Sequence, residues 1–181
     1  MDRTSDTELV TAAREGDVDA FAVLVDRYRS AALRLAYGIA GDDAEDAVQD
    51  AFVKMFRALG GFRSGAAFRP WLFTIVANEA RNRRRSMSRR SKLELRVSAQ
   101  PRPDGVGADE VVAQRHERQR LLDAVAVLPD RYREVVALRF FAGLSEIETA
   151  EVLGCPVGTA KSRLSRALDL LRVSLGEEAT L

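Results

Sequence analysis

One cysteine, Cys155, and one histidine, His116, are all that a chain of 181 residues provides of either, and that scarcity removes whole classes of chemistry. No internal disulfide can form, and a thiolate or imidazole zinc site has too few ligands, so no metal or cofactor is expected. A glycine-rich phosphate loop, a nucleophile elbow and a histidine pair are all missing, which argues against a nuclease, a nucleotidyl transferase or any other enzyme with a small-molecule substrate. No apolar run approaches the roughly 20 residues of a membrane-spanning helix. The stretch Met1 to Asp6 is too polar for a signal peptide, so a cytoplasmic location without membrane insertion is expected. Alternating apolar and polar runs are scarce too, and with them the signature of a sheet.

What is present is a globular composition, 46% hydrophobic and 30% charged, with a net charge of only +1. That near-neutral sum hides a strong asymmetry. Acids crowd the first 50 residues, from Asp2 through Asp42, Asp43, Glu45, Asp46 and Asp50, whereas Lys54 to Arg96 is dominated by bases, with Arg81, Arg83, Arg84, Arg85, Arg89, Arg90 and Lys92 close together. Two kinds of surface follow, one suited to a protein partner and one to a polyanion.

Apolar residues recur at three- and four-residue intervals through most of the chain, so the expected class is all-α. Ser5 and Glu8 have capping-box spacing and start a short helix, and Asp17 caps the next, whose stripe runs through Phe21, Leu24, Tyr28, Leu35 and Ile39. A third helix is expected from Asp42, with Ala47, Val48, Ala51 and Met55 facing inward until Gly60 and Gly61 stop it. After a loop from Phe62 to Phe68, Pro70 suits the first turn of a fourth helix, with Trp71, Leu72, Ile75 and Val76 inward. Thr74, Asn78, Arg81, Asn82 and Arg85 share another side of that helix, a polar and basic one free of acids. Periodicity then fades, and Pro101, Pro103, Gly105 and Gly107 break any helix. The expected organisation is therefore two small helical domains, 1–86 and 110–181, joined by a flexible linker, 87–109. The acids from Asp42 to Asp50, with no histidine near them, read as a solvated helix start rather than a metal cluster.

In the second domain, helices are expected over 111–128 and 130–141, with Gly143 as C-cap. Ser145 and Glu148 then form another capping box, starting a short helix that stops at Gly154, and after Cys155 and Pro156 a new helix begins. Two short helices joined by a tight glycine-containing turn match a DNA-binding helix-turn-helix. Its second helix turns Val157, Ala160, Leu164, Ala167 and Leu171 inward and presents Thr159, Lys161, Ser162, Ser165 and Arg166 outward, with Arg163 nearby. Lysine and arginine donate to guanine O6 and N7, and a good bidentate contact discriminates between bases by roughly 1–3 kcal/mol.

The wording of these segments adds a resemblance. Leu128 to Ser145 (LPDRYREVVALRFFAGLS) with Leu153 to Ala167 (LGCPVGTAKSRLSRA) resembles region 4 of the extracytoplasmic-function sigma factors of bacterial RNA polymerase. Phe21 to Tyr28, DAEDAVQDAFVKMF (Asp43 to Phe56) and FRPWLFTIVANEARNRRR (Phe68 to Arg85) resemble region 2, in the right order. The resemblance implies an alternative sigma factor whose partners are core polymerase, promoter DNA and a membrane-associated anti-sigma factor. It implies that Lys161, Ser162, Ser165 and Arg166 read the minus-thirty-five element in the major groove, with Ser145, Thr159 and Arg163 on phosphates. It assigns the minus-ten element to the loop residues Arg63, Ser64 and Phe68 and to Asn78, Arg81, Asn82 and Arg85, and the polymerase contact to Asp46, Gln49, Asp50 and Val53. Arg89, Arg90, Lys92 and Arg96 would then follow nucleic acid or acidic walls.

Two departures from the family pattern stand out. Glu146 and Thr149 occupy positions usually held by an aromatic residue and an isoleucine, so altered packing is expected there, with Ile147 in part compensating. Leu168, Asp169 and Leu170 make the end of the recognition helix less basic than usual, which implies fewer phosphate contacts. The alternative reading is a dimeric helix-turn-helix regulator, but residues 1 to 86 hold neither the strand-helix alternation of a receiver nor a ligand-pocket signature.

Overall fold

The computed structural model describes residues 4–63, 65–94 and 109–176; for 88–94, 109–116 and 118 it describes the backbone alone. Among the described residues eight α-helices follow in order: α1 Asp6–Arg14, α2 Val18–Ala40, α3 Ala44–Ala58, α4 Phe68–Glu94, α5 Asp109–Val127, α6 Asp130–Val136, α7 Glu146–Leu153 and α8 Val157–Leu175. There is no strand among the described residues, as the periodicity led us to expect. Ser64 and Arg96 lie outside the described residues, as do the side chains of Arg89, Arg90, Lys92 and His116.

Local chemistry places the helix starts. Both serine capping boxes form: the Ser5 backbone N–H donates to Glu8 at 2.8 Å, and that of Ser145 to Glu148 at 2.7 Å, while each serine hydroxyl accepts from the glutamate N–H. Each box satisfies two donors that the helix itself leaves unpaired. Asp17 caps α2 by accepting from the N–H groups of Asp19 and Ala20 at 2.9 and 3.0 Å. The expected start of α3 at Asp42 is a 3-10 turn instead, Gly41–Asp43, and α3 begins at Ala44 without a side-chain cap from Asp43. The helix expected over 130–141 is also two pieces. The α-helix stops at Val136 and a π-helical turn, Ala137–Phe141, continues it before Gly143 at φ 66°.

Helix α4 runs to Glu94, past the expected end of the first domain. Arginines, serines and a lysine without a breaker keep good helix formers in this stretch, and loss of apolar period alone does not end a helix.

The N-terminal half packs α1 to α4 around Leu24, Leu35, Met55, Leu72, Phe73 and Val76, all fully buried. Tyr28 donates to Asp6, and burial together with that bond pushes its phenol well above the ordinary tyrosine value. The C-terminal half has its own core of Ala124, Val125, Leu128, Val135, Val136, Ala167 and Leu171. Buried Arg133 fixes the corner between α5 and α6, donating to the Leu128 carbonyl at 2.7 Å and to Asp130 at 2.5 Å. Yet the N-terminal core does not stop at the N-terminal half. Ala137, Leu138, Ala142, Leu144 and Val152 belong to the same apolar cluster as Leu35, Ile39 and Leu72, so the two halves are docked on one another.

Candidate nucleic-acid and polymerase interfaces

The helix-turn-helix forms as the spacing predicts. Gly154 closes α7 in the left-handed conformation (φ 61°, ψ 38°), a region that costs a residue with a β-carbon about 1–2 kcal/mol, and Pro156 leads into α8. Buried Ala160, Ala167 and Leu171 hold the inner face of α8, and Lys161, Ser162, Ser165 and Arg166 are exposed on the outer one. Thr159 and Arg163 are half-buried at its border. Lys161 stands 3.0 Å from Glu146 of α7, and the Ser162 hydroxyl donates to the Thr159 carbonyl at 3.0 Å. Neither contact removes the side chain from solvent, and a surface ion pair of this kind is worth only about 0–1 kcal/mol.

Thr149 is fully buried in α7 and its hydroxyl has no partner. Ile147, expected to compensate for the change there, is 63% exposed and fills nothing. The reason is periodicity: position 149 faces the core through α7, and 147 lies across the helix from it.

On α4, Asn78, Asn82 and Arg85 are exposed and Arg81 half-buried on one side, as counted. Arg81 donates to the Asn78 amide oxygen at 2.5 Å. Its Nε lies 2.8 Å from Glu134 of α6, so the centre of the basic face is covered by the other half of the chain. Arg63 is exposed in the loop before α4. Phe68 corrects the expectation that its ring would be available to a base. It is 5% exposed, in tilted and edge-on contact with Tyr28, Phe62 and Trp71 at ring-centroid distances of 5.6–5.8 Å, because it is the first residue of α4 and belongs to the N-terminal core. Trp71, expected in the core, is half-buried against the same cluster.

On α3, Asp46, Gln49 and Val53 are exposed and Asp50 half-buried. Gln49 and Val53 line an apolar groove of about 530 Å³ between α2 and α3, together with Phe21, Val25, Leu33, Phe52 and Phe56, and its charged residues are Arg29 and Glu45. Phe56 is 58% exposed and Val53 43%, so the edge of the groove keeps apolar surface open to water. Arg83 of α4 bridges the acids, 2.5 Å from Asp50 and 3.2 Å from Asp46.

Sequence reasoning passed over the residues that join the halves. Arg69 donates to both Glu148 oxygens at 2.9 and 3.1 Å and to the Ala142 and Gly143 carbonyls at 3.1 and 2.9 Å. Arg34 donates to the Phe141 carbonyl at 2.9 Å, and Arg84 to that of Ala126 at 3.0 Å. Phe141 packs against Gly38, and a lone glycine inside an apolar helical stripe was the one signal that a close approach occurs there.

A helix-turn-helix with a basic reading face, a basic polar helix, and an apolar groove beside the exposed acids of α3 define a DNA-binding protein with a surface for a protein partner. Family comparisons make this specific. The model described as Sigma-70 region 2 matches residues 24–90, and that described as Sigma-70, region 4 matches 118–171. The ECF RNA polymerase sigma-E factor of Haemophilus influenzae is 32% identical over 94% of this chain and 95% of its own. The ECF RNA polymerase sigma factor SigW of Bacillus subtilis is 32% identical over 92% and 94%. Among solved structures, CnrH in complex with the cytosolic domain of CnrY has a TM-score of 0.74 at 30% identity, covering 96% of this chain and 99% of that one. The sigma factor RpoE of Bartonella quintana, in complex with the anti-sigma factor NepR, has a TM-score of 0.66 at 29% identity, covering 87% and 98%. This chain belongs to the extracytoplasmic-function sigma factors of RNA polymerase.

Proposed function

We propose that the chain acts as an alternative sigma factor in the cytoplasm, binding core RNA polymerase and directing it to one class of promoters, which it helps to open. No described helix is long and apolar enough to cross a membrane. In this reading residues 1–86 form the polymerase-binding and minus-ten domain, 87–109 the linker and 110–181 the minus-thirty-five domain. The observation that carries it is the coexistence, in one chain, of the exposed Lys161–Arg166 face of a helix-turn-helix with the apolar groove of α2 and α3 and the exposed acids of α3. A dimeric regulator has no use for the second surface.

Roles follow from chemistry. Lys161, Ser162, Ser165 and Arg166 contact base edges, and Ser145, Thr159 and Arg163 contact phosphates. Arg63, Ser64, Asn78, Arg81, Asn82 and Arg85 hold the separated minus-ten strand, where amide hydrogen bonds and cations follow a single-stranded backbone. Phe68 supports that site from beneath. Asp46, Gln49, Asp50 and Val53 dock on the polymerase, with the groove beside them taking an apolar ridge of that partner. Because the solved neighbours include sigma factors bound to anti-sigma proteins, an anti-sigma partner is part of the proposal.

In vitro transcription tests it. Purified chain, sigma-free core polymerase and a fragmented genomic library should give transcript starts that share paired upstream motifs at fixed spacing. No chain-dependent starts, together with no binding to core, would overturn the reading.

A further inference from the structure

A small cavity of about 50 Å³ lies where the end of α2 meets α4 and α6. Four arginines line it, Arg81, Arg84 and Arg85 of α4 and Arg133 of α6, against two carboxylates, Asp130 and Glu134. Two positive charges are therefore left in excess around one small space. Asp130 is 68% exposed and screened by water, and Glu134 already faces Arg81, so neither carboxylate offsets that excess.

The state of Arg133 is the second observation. Its side chain is 2% exposed, and Nη2 donates to the Leu128 carbonyl and to Asp130, yet Nε and Nη1 are buried with no acceptor among the described residues. A guanidinium has five N–H donors in one plane, and a buried charged donor left unpaired costs more than a neutral one. Arg81 Nε is in a similar condition: it stands 2.8 Å from Glu134 but makes no hydrogen bond there. Arg84 donates to the Ile39 and Ala126 carbonyls at 3.4 and 3.0 Å and keeps Nε 3.6 Å from Asp130.

We propose that this cavity is a binding site for a phosphate-sized dianion, held by the unpaired edge of Arg133 together with Arg81 and Arg84. Size and charge agree. One water needs about 10–15 Å³ of such space, so the cavity has room for about four oxygen atoms, as in a tetrahedral oxyanion. Its two negative charges match the excess, and guanidinium forks pair with oxyanion oxygens two at a time. Water would satisfy single donors and leave the charge uncompensated. A phosphodiester within a DNA strand is too large, because its flanking sugars need more room than the cavity has. The site borrows Arg81 and Arg85 from the proposed minus-ten face but takes a separate ligand, and it stands whether or not the sigma-factor reading does. Bridging α4 and α6, the anion would stabilise the folded chain increasingly with its concentration.

Titration calorimetry of the full chain with inorganic phosphate, at an ionic strength held constant by chloride, tests the site. One saturable site per chain is expected. Arg84→Ala should weaken it about tenfold or more. Arg57→Ala, the same loss of charge at an exposed arginine of α3, should leave it unchanged. The wild-type chain gives a readout that survives a variant's failure to fold: phosphate should shift the arginine Nε–H resonances of Arg133 and Arg81 in nitrogen-labelled protein and leave that of Arg57 in place. Adenosine monophosphate and sulfate separate the sources of the anion. Tighter binding of the nucleotide than of phosphate would assign the site to a terminal phosphate group, and tighter binding of phosphate or sulfate to a free oxyanion. Binding that never saturates, an equal loss in Arg57→Ala, or Arg133 and Arg81 resonances that do not move would each overturn the inference.

Discussion

The ring of Phe141 occupies the space that a β-carbon on Gly38 would need. A β-carbon there would collide with Cδ2 of the ring and stand 2.7 Å from its Cε2 and 3.0 Å from the Ala137 β-carbon. Gly38 lies in the interior of α2, where glycine costs about 1 kcal/mol relative to alanine. The contact sits where the π-helical turn ends, at Phe141. Gly38 therefore joins two halves that are separate in sequence.

Gly38→Val should enlarge the molecule without unfolding it. A compact chain of this length has a radius of gyration of about 16 Å. Small-angle scattering should show a clear rise in the variant while circular dichroism keeps its helical signal. An unchanged radius would mean that the ring swings aside and the halves stay docked.

Arg166→Ala and Asp50→Ala should separate the two interfaces. Loss of one base-reading arginine should cost about 1–3 kcal/mol of promoter discrimination, read as reduced holoenzyme binding to promoter over random duplex, with core affinity unchanged. Asp50→Ala should weaken core binding and leave upstream discrimination alone. Equal loss of core binding in both would contradict the assignment.

Arg83→Ala refines that prediction. Arg83 occupies Asp50 at 2.5 Å and Asp46 at 3.2 Å in the free chain, so the acids must leave it, or share it, when they dock. Core affinity should hold or rise in Arg83→Ala, by direct titration. A loss as large as that of Asp50→Ala would make the bridge itself the docking element.

How much of this was legible in the sequence depended on how local the cause was. Ser5 with Glu8, Ser145 with Glu148 and Asp17 all cap as read, because capping is decided within four residues. The helix-turn-helix followed from Gly154 and apolar spacing. Phe68 was misplaced because a helix boundary and a binding loop share its residue types. The junction was invisible: Arg69 and Glu148 are 79 positions apart, and nothing in an arginine-rich stretch tells which guanidinium faces its own chain and which faces DNA.

Two junction carboxyls should give opposite responses to acid. Burial pushes the Glu134 carboxyl up further than Arg81 pulls it down, Asp130 adding to the rise and Arg85 opposing it. Folding then takes up a proton at Glu134, so its contribution to stability grows as pH falls from neutrality toward the ordinary value of 4.5. Glu148 is the reverse: burial alone would raise it, but the Ser145 backbone N–H and hydroxyl, with Arg69, hold it below that value. Its stabilisation is complete above 4.5 and lost as pH falls through its depressed folded value. The unfolding midpoint followed by circular dichroism should rise on mild acidification, and Glu134→Gln should remove that rise. A rise that persists in Glu134→Gln would assign it to another group.

Thr149→Val should stabilise the protein. The Thr149 side chain is fully buried and its hydroxyl has no partner, while its backbone N–H is already bonded to the Ser145 carbonyl at 2.9 Å. An unsatisfied buried hydroxyl costs about 1–3 kcal/mol, and valine replaces it with a methyl of nearly the same size. The added side-chain order is small, since both residues are β-branched and stiff in a helix. For a chain of this size each kcal/mol shifts the unfolding midpoint by about 2–4 °C, so thermal denaturation followed at 222 nm should move upward by several degrees. A midpoint that stays or falls would show that the hydroxyl is bonded after all, and that the threonine at this position of α7 is there for its polarity.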